Sequence, residues 1–92
     1  MMQTIVGWHV DLEFSEDEDT GKTKASCLVR LPDGTELRGH GRAKRHPDDM
    51  EQQRVGEEIA AARALNELCR NLMKKAGHEI EEATHIPAHI AM

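Results

Sequence analysis

Between Thr4 and Phe14 the apolar residues Val6, Trp8, Val10, Leu12 and Phe14 share one parity, and Gly7, His9, Asp11 and Glu13 share the other. Alternation of two predicts a strand with one buried face, over about 4–14. The segment 15–21 is acidic, has no apolar residue and ends in glycine, so it reads as a turn. A second alternation, about 23–31, sets Ala25, Cys27, Val29 and Leu31 against Lys24, Ser26, Leu28 and Arg30. Pro32-Asp33-Gly34 follows. Proline presets the first corner of a turn and glycine supplies the positive φ that closes it. This hairpin fixes a register: Leu31 faces Thr35, Val29 faces Leu37, Cys27 faces Gly39 and Ala25 faces Gly41. The third strand, about 35–45, then turns Leu37, Gly39, Gly41 and Ala43 inward. That face is nearly bare, so something large must lie close against it.

A helix supplies the cover. Apolar residues at 55, 59, 62, 65, 69, 72, 73 and 76, with Leu68 beside them, step by threes and fours along one stripe over about 55–76. Gly77 is placed as a C-cap, with Lys74 and Lys75 at the negative end of the helix. The tail 78–92 has no assigned element, and Pro87 forbids a helix running straight through it. The predicted fold is α+β, a single domain over 1–92. It is a three-stranded antiparallel meander (β-β-β-α) with one long helix packed on one face. The expected core is Val6, Trp8, Val10, Leu12, Val29, Leu37, Ile59, Leu65, Leu68, Cys69 and Leu72.

Composition narrows the class. The chain has 92 residues, 38% apolar and 32% charged, which suits one compact core. No apolar run approaches the length of a membrane span, and the N-terminus lacks the pattern of a secretion signal. Two cysteines without such a signal read as buried, reduced thiols in the cytoplasm. The net charge of −5 conceals a division. Residues 21–46 carry seven basic side chains and two acidic ones, whereas residues 11–20 carry six acids and no base.

The basic segment coincides with strands two and three. Their outward parity presents Lys24, Ser26, Leu28 and Arg30 beside Glu36, Arg38, His40, Arg42 and Lys44. The register sets Arg30 opposite Glu36, a favourable pair, and Lys24 opposite Arg42, an unfavourable one. Arg38, His40, Arg42 and Lys44 stand in a row about 7 Å apart, near the spacing of phosphates along a nucleic-acid strand. A polyanion would therefore contact Arg38, Arg42, Lys44 and Arg45, with Lys24 and His40 assisting. Trp8 and Phe14 lie on the apolar parity, so no aromatic platform is offered to bases, and contact would be with the backbone.

Other chemistry is poorly supported. Asp17-Glu18-Asp19-Thr20-Gly21 has the start of a calcium loop, but Leu28 stands where the bidentate glutamate belongs. Gly39-His40-Gly41 lies mid-strand and opens no helix, so it is no phosphate cradle. The six histidines do not fall at ligand spacing, and Pro87 separates His85 from His89. No nucleophile, base and orienting residue converge. The sequence predicts no enzyme, no metal, no cofactor and no small-molecule substrate.

Gly7-Trp8-His9-Val10, the strand Leu37-Arg38-Gly39-His40-Gly41-Arg42-Ala43, and above all the helix run from Val55-Gly56-Glu57-Glu58-Ile59 to Ala64-Leu65 carry a resemblance. They resemble a family of small actinobacterial proteins of unknown function, over roughly residues 4–80. The resemblance implies a fold like the double-stranded-RNA-binding domain (dsRBD-like), a cytoplasmic location, no catalysis and a homodimer. The similar architecture of ribosome hibernation factors implies a stress-linked, ribosome-directed role by analogy of fold. RNA-binding domains of that fold grip phosphates with lysines at the start of the last helix. Here Glu57 and Glu58 stand there and would repel phosphate, so any RNA site falls on the sheet. The open strand edges also invite pairing with a second copy. The expected function is that of a non-catalytic regulatory or interaction protein. The alternative is a ribosome- or RNA-backbone-binding module.

Overall fold

The computed structural model describes residues 2–44 and 53–88. Three strands, β1 (Val10–Asp17), β2 (Lys22–Arg30) and β3 (Glu36–Lys44), form an antiparallel sheet in the order β1-β2-β3. One long helix, α1 (Gln53–Thr84), follows. This is the α+β meander that the sequence predicts.

The β2–β3 hairpin holds the expected register: Val29 pairs with Leu37, Cys27 with Gly39, Ala25 with Gly41 and Lys24 with Arg42. Leu31 N donates to Thr35 O at 2.8 Å and closes the loop, where Gly34 adopts a φ of +88°. Asp33 accepts from Thr35 N at 2.9 Å and from Lys75 Nζ at 2.8 Å, tying the hairpin to α1.

β1 is shifted from its predicted span. Residues 4–9 are not strand, because β2 ends at Arg30 and leaves them nothing to pair with. Ser15, Glu16 and Asp17, assigned above to the turn, continue the ladder opposite Lys24, Thr23 and Lys22. The turn is compressed into 18–21. Asp17 Oδ1 accepts from Asp19 N at 3.0 Å, and Gly21 at φ +68° donates to Asp17 O at 2.8 Å.

The core is the main correction. It consists of Ala25, Cys27, Val29, Leu31, Ala43, Ala60, Ala64 and Leu68, with Leu37 and Leu72 partly buried against it. Of the predicted core, Val29 and Leu68 are buried, while Val6, Trp8, Val10, Leu12, Ile59, Leu65 and Cys69 are exposed. The helix has turned its small residues, not its large stripe, to the sheet. A Cβ on Gly39 would stand 2.2 Å from Ala64 O, and one on Gly41 would stand 2.2 Å from Ala60 O. The large cover expected over these glycines is thus the helix main chain itself. Side chains as long as Ile59 or Leu65 at the contact would hold the helix too far off to fill that trough.

The helix is also longer than predicted. Gly77 has no positive φ and does not cap it. The chain instead leaves the helix at His85, at φ +56°, whose N donates to Glu81 O at 2.7 Å two residues before Pro87. Lys74 and Lys75 therefore lie within the helix rather than at its end. Residues 89–92 of the tail and Arg45 lie outside the described residues.

Candidate functional site

The helix covers β2 and β3 from one side, so the even-numbered residues of both strands face solvent on the other. Lys24, Arg38, His40, Arg42 and Lys44 are all exposed there, as expected. Pairing makes a compact corner of this row: Lys22 lies opposite Lys44, and Lys24 opposite Arg42. Together with Arg63 from α1 these bases line a shallow open hollow of about 610 Å³ at the end of the sheet away from the hairpin. Arg63 Nη1 donates to Arg42 O at 2.6 Å, which fixes its guanidinium beside the strand. A second hollow along the β3 edge is lined by His40, Arg42, Arg63 and Arg70, with Glu67 among them.

The other end of the row is largely neutralised. Arg30 Nη2 lies 2.7 Å from Glu36 Oε1, and Arg38 Nη2 lies 3.7 Å from Glu36 Oε2. The Arg30 guanidinium holds the Glu36 carboxyl below its usual range. Arg38 is therefore less available to an outside anion than Arg42 or Lys44. The described members of the proposed set do not act alike, since the positive charge gathers at the Lys22–Lys44 end, where Asp17 is the one acid in the hollow.

Two features of this face escape a reading of β2 and β3 alone. Lys22 joins the ladder because β2 begins one residue before the predicted start. Arg63 joins because α1 has rotated. The β1–β2 register also sets Asp11, Glu13 and Asp17 on the same open face, with Asp17 opposite Lys22. The sheet is thus acidic along β1 and basic along β3, which confines an anionic ligand to the β3 side.

Among the described residues no group of three His, Cys, Asp or Glu side chains could hold a metal ion. Cys27 is buried, and its Sγ donates to Ala64 O at 3.3 Å. Burial pushes its thiol above the usual value, away from the thiolate needed for reaction. No described helix is long and apolar enough to cross a membrane.

The chain matches a family profile described as Rv2632c-like over residues 6–89. It is 39% identical over 83 residues to the uncharacterized protein Mb1767 of Mycobacterium bovis, covering 90% of this chain and 85% of that one. It is 33% identical over 82 residues to the uncharacterized protein Rv2632c of Mycobacterium tuberculosis, covering 89% and 87% respectively.

Proposed function

Since the chain belongs to the Rv2632c-like family, whose matched relatives carry no assigned activity in their names, we propose a function from its surfaces: a non-catalytic interaction protein whose basic corner engages a polyanion backbone. The observation that carries this reading is the pairing of like charges, Lys22 with Lys44 and Lys24 with Arg42, on an open face. Like charges directly opposite each other cost roughly 0.2–1 kcal/mol per pair, and a bound phosphate relieves that cost. The acids along β1 make the contact one-sided. The absence of aromatics on this face makes it indifferent to base sequence.

The ribosome is one polyanion of this class, and a stress-linked role at the ribosome, implied by the resemblance to hibernation factors, would use the same corner. Cytoplasmic location is part of this reading. Glu57 and Glu58 in the opening turns of α1 leave the sheet as the contact surface.

The test is co-sedimentation with ribosomes, and separately with double-stranded RNA, at 50 and 200 mM salt. Four phosphate contacts predict a loss of affinity of about a hundredfold across that range. Lys24→Glu/Arg42→Glu, at two exposed positions, should leave the fold intact and abolish binding. Undiminished binding by that variant would deny the basic corner this role, and no binding by wild type to either polymer would leave an interaction protein without a nucleic-acid partner.

A further inference from the structure

The two edges of the sheet are not alike. Along β3, helix side chains occupy the outward carbonyls: Arg63 Nη1 donates to Arg42 O at 2.6 Å and Asn71 Nδ2 to Arg38 O at 2.8 Å. Bonds of this kind blunt an edge against further pairing. Among the described residues no such bond reaches the main chain of Val10, Leu12 or Phe14 on β1, whose main-chain groups can be assigned. Leu31 N bonds Thr35 O, so the odd-numbered residues of β2 bond to β3 and its even-numbered residues bond to β1. The N–H and C=O of Val10, Leu12 and Phe14 therefore point outward at the edge.

The side chains of β1 repeat the asymmetry. Val10, Leu12 and Phe14 face the helix side of the sheet, opposite Val29, Cys27 and Ala25. Yet the helix sits over β2 and β3, and these three remain 45%, 38% and 42% exposed. Val6 and Trp8 continue the same parity beyond the end of β2, at 70% and 53% exposure. Leu65 of α1, on the flank away from Arg63, is also 40% exposed. An edge unpaired at Val10, Leu12 and Phe14, an apolar face and a strand-patterned segment with no strand partner among the described residues thus coincide.

We propose that the occupant is a second copy of this chain, paired antiparallel through residues 6–14 about a two-fold axis at Val10. The apolar set 6, 8, 10, 12 and 14 is symmetric about Val10, so in this register Val6 meets Phe14 and Trp8 meets Leu12 in both halves. Val10, Leu12 and Phe14, whose main-chain groups point outward, then fall in hydrogen-bonded pairs. The opposite face selects the same register: His9 lies opposite Asp11, and Gly7 opposite Glu13. Moving the axis to Asp11 sets Asp11 against itself. Moving it to Leu12 sets Asp11 against Glu13 twice, which is repulsive. Moving it to His9 leaves Phe14 facing Thr4. Only the axis at Val10 matches every apolar residue without opposing two acids. The product is a continuous six-stranded sheet with both helices on one face. The five side chains expose on the order of 450 Å² per copy. A symmetric pair therefore buries about the 1,000 Å² that a specific interface needs.

The pairing also accounts for residues 4–9, which carry a strand pattern but form no strand in the single chain. It is separable from the polyanion reading, since the apolar residues at 6–14 that pair do not line the basic hollow, to which β1 contributes only Ser15 and Asp17. The whole chain at tens of micromolar should sediment at twice its 10.3 kDa mass. Val10→Pro removes an outward N–H and leaves the β1–β2 ladder intact, so it should give a folded monomer. The register is read by mild oxidation on a Cys69→Ser background. In non-hydrogen-bonded pairs the Cα atoms stand about 4.5 Å apart, within disulfide reach. A mixture of His9→Cys and Asp11→Cys chains should cross-link to each other, while neither cross-links with itself. A monomeric wild type, or a cross-link formed by His9→Cys or Asp11→Cys alone, overturns the proposal.

Discussion

Gly41 packs directly against the helix backbone, and Gly41→Ala tests what that contact is worth. The new Cβ would lie 2.2 Å from Ala60 O, 2.5 Å from Ala64 N and 2.8 Å from Arg63 Cβ. Two of these atoms are main chain and cannot rotate away. An unstrained carbon contact needs ~3.5 Å, so the helix must retreat by roughly 1 Å over this turn. That retreat loosens Ala60, Ala64 and Leu68 together and stretches the bond from Arg63 to Arg42 O. Overpacking of a well-filled core costs about 1–3 kcal/mol, and a rigid neighbour places this case at the upper end. A domain of this size has on the order of 5–14 kcal/mol in total. At ~4–8 °C per kcal/mol, the melting temperature should fall by on the order of 10–20 °C. Thermal denaturation followed by circular dichroism, at one fixed protein concentration, measures it. Gly7→Ala, with nothing within 4 Å of its Cβ, is the control and should shift little. Ala60→Gly should not rescue Gly41→Ala, because the clash is with a carbonyl. A Gly41→Ala protein melting within about 2 °C of wild type would refute the close-packed helix.

Three further outcomes follow from particular contacts. The Lys75 ammonium and the Thr35 N–H hold the Asp33 carboxyl far below the usual carboxylate range. A depressed native value means stability that is present above the unfolded value near 4 and lost as pH falls below it. Acid titration of the melting temperature should thus be flatter for Asp33→Asn than for wild type, and equal slopes would contradict the contact. Gly77→Ala should stabilise by up to ~1 kcal/mol, since Gly77 lies inside α1 without a positive φ; a helix ending there would instead lose stability. A thiol reagent should modify Cys69 rapidly and Cys27 only on unfolding, giving one fast equivalent per native chain.

The hairpin register was legible because it depends on local chemistry. Pro32-Asp33-Gly34 specifies a turn, and the turn specifies every β2–β3 pair. The core was misread because the ordinary rule assigns the largest apolar stripe to the interior. Here Gly39 and Gly41 remove two side chains from the sheet, and a helix backbone fits where a leucine does not. The signal existed in the four-residue steps Gly56, Ala60 and Ala64, which match the bare strand. The site was legible as a parity, which gave Arg38, His40, Arg42 and Lys44 on one face. Its true centre was not, because Lys22 depends on where β2 begins and Arg63 on how α1 is rotated. Neither is a local property. The acid facing Lys22 was hidden by reading Asp17 as turn rather than strand.

This distribution of residues ties the two surfaces together. The buried set is small side chains, while Trp8, Phe14, Leu12 and Leu65 remain outside, so one chain alone leaves much of its apolar surface in water. Pairing through β1 removes that surface and leaves both β3 strands at the outer edges of the joined sheet. Strand spacing and rise then place the two basic corners roughly 45 Å apart, on the same open face. Two equivalent cationic sites on one rigid body bind a long polymer with avidity that a short one cannot share. Loss of the dimer should therefore weaken binding to long RNA far more than binding to a short duplex that reaches one corner. Loss of the corner should weaken both alike. Comparing Val10→Pro with Lys24→Glu/Arg42→Glu on duplexes shorter and longer than this separation distinguishes the two contributions. Equal losses on both lengths for Val10→Pro would mean that the two corners work independently.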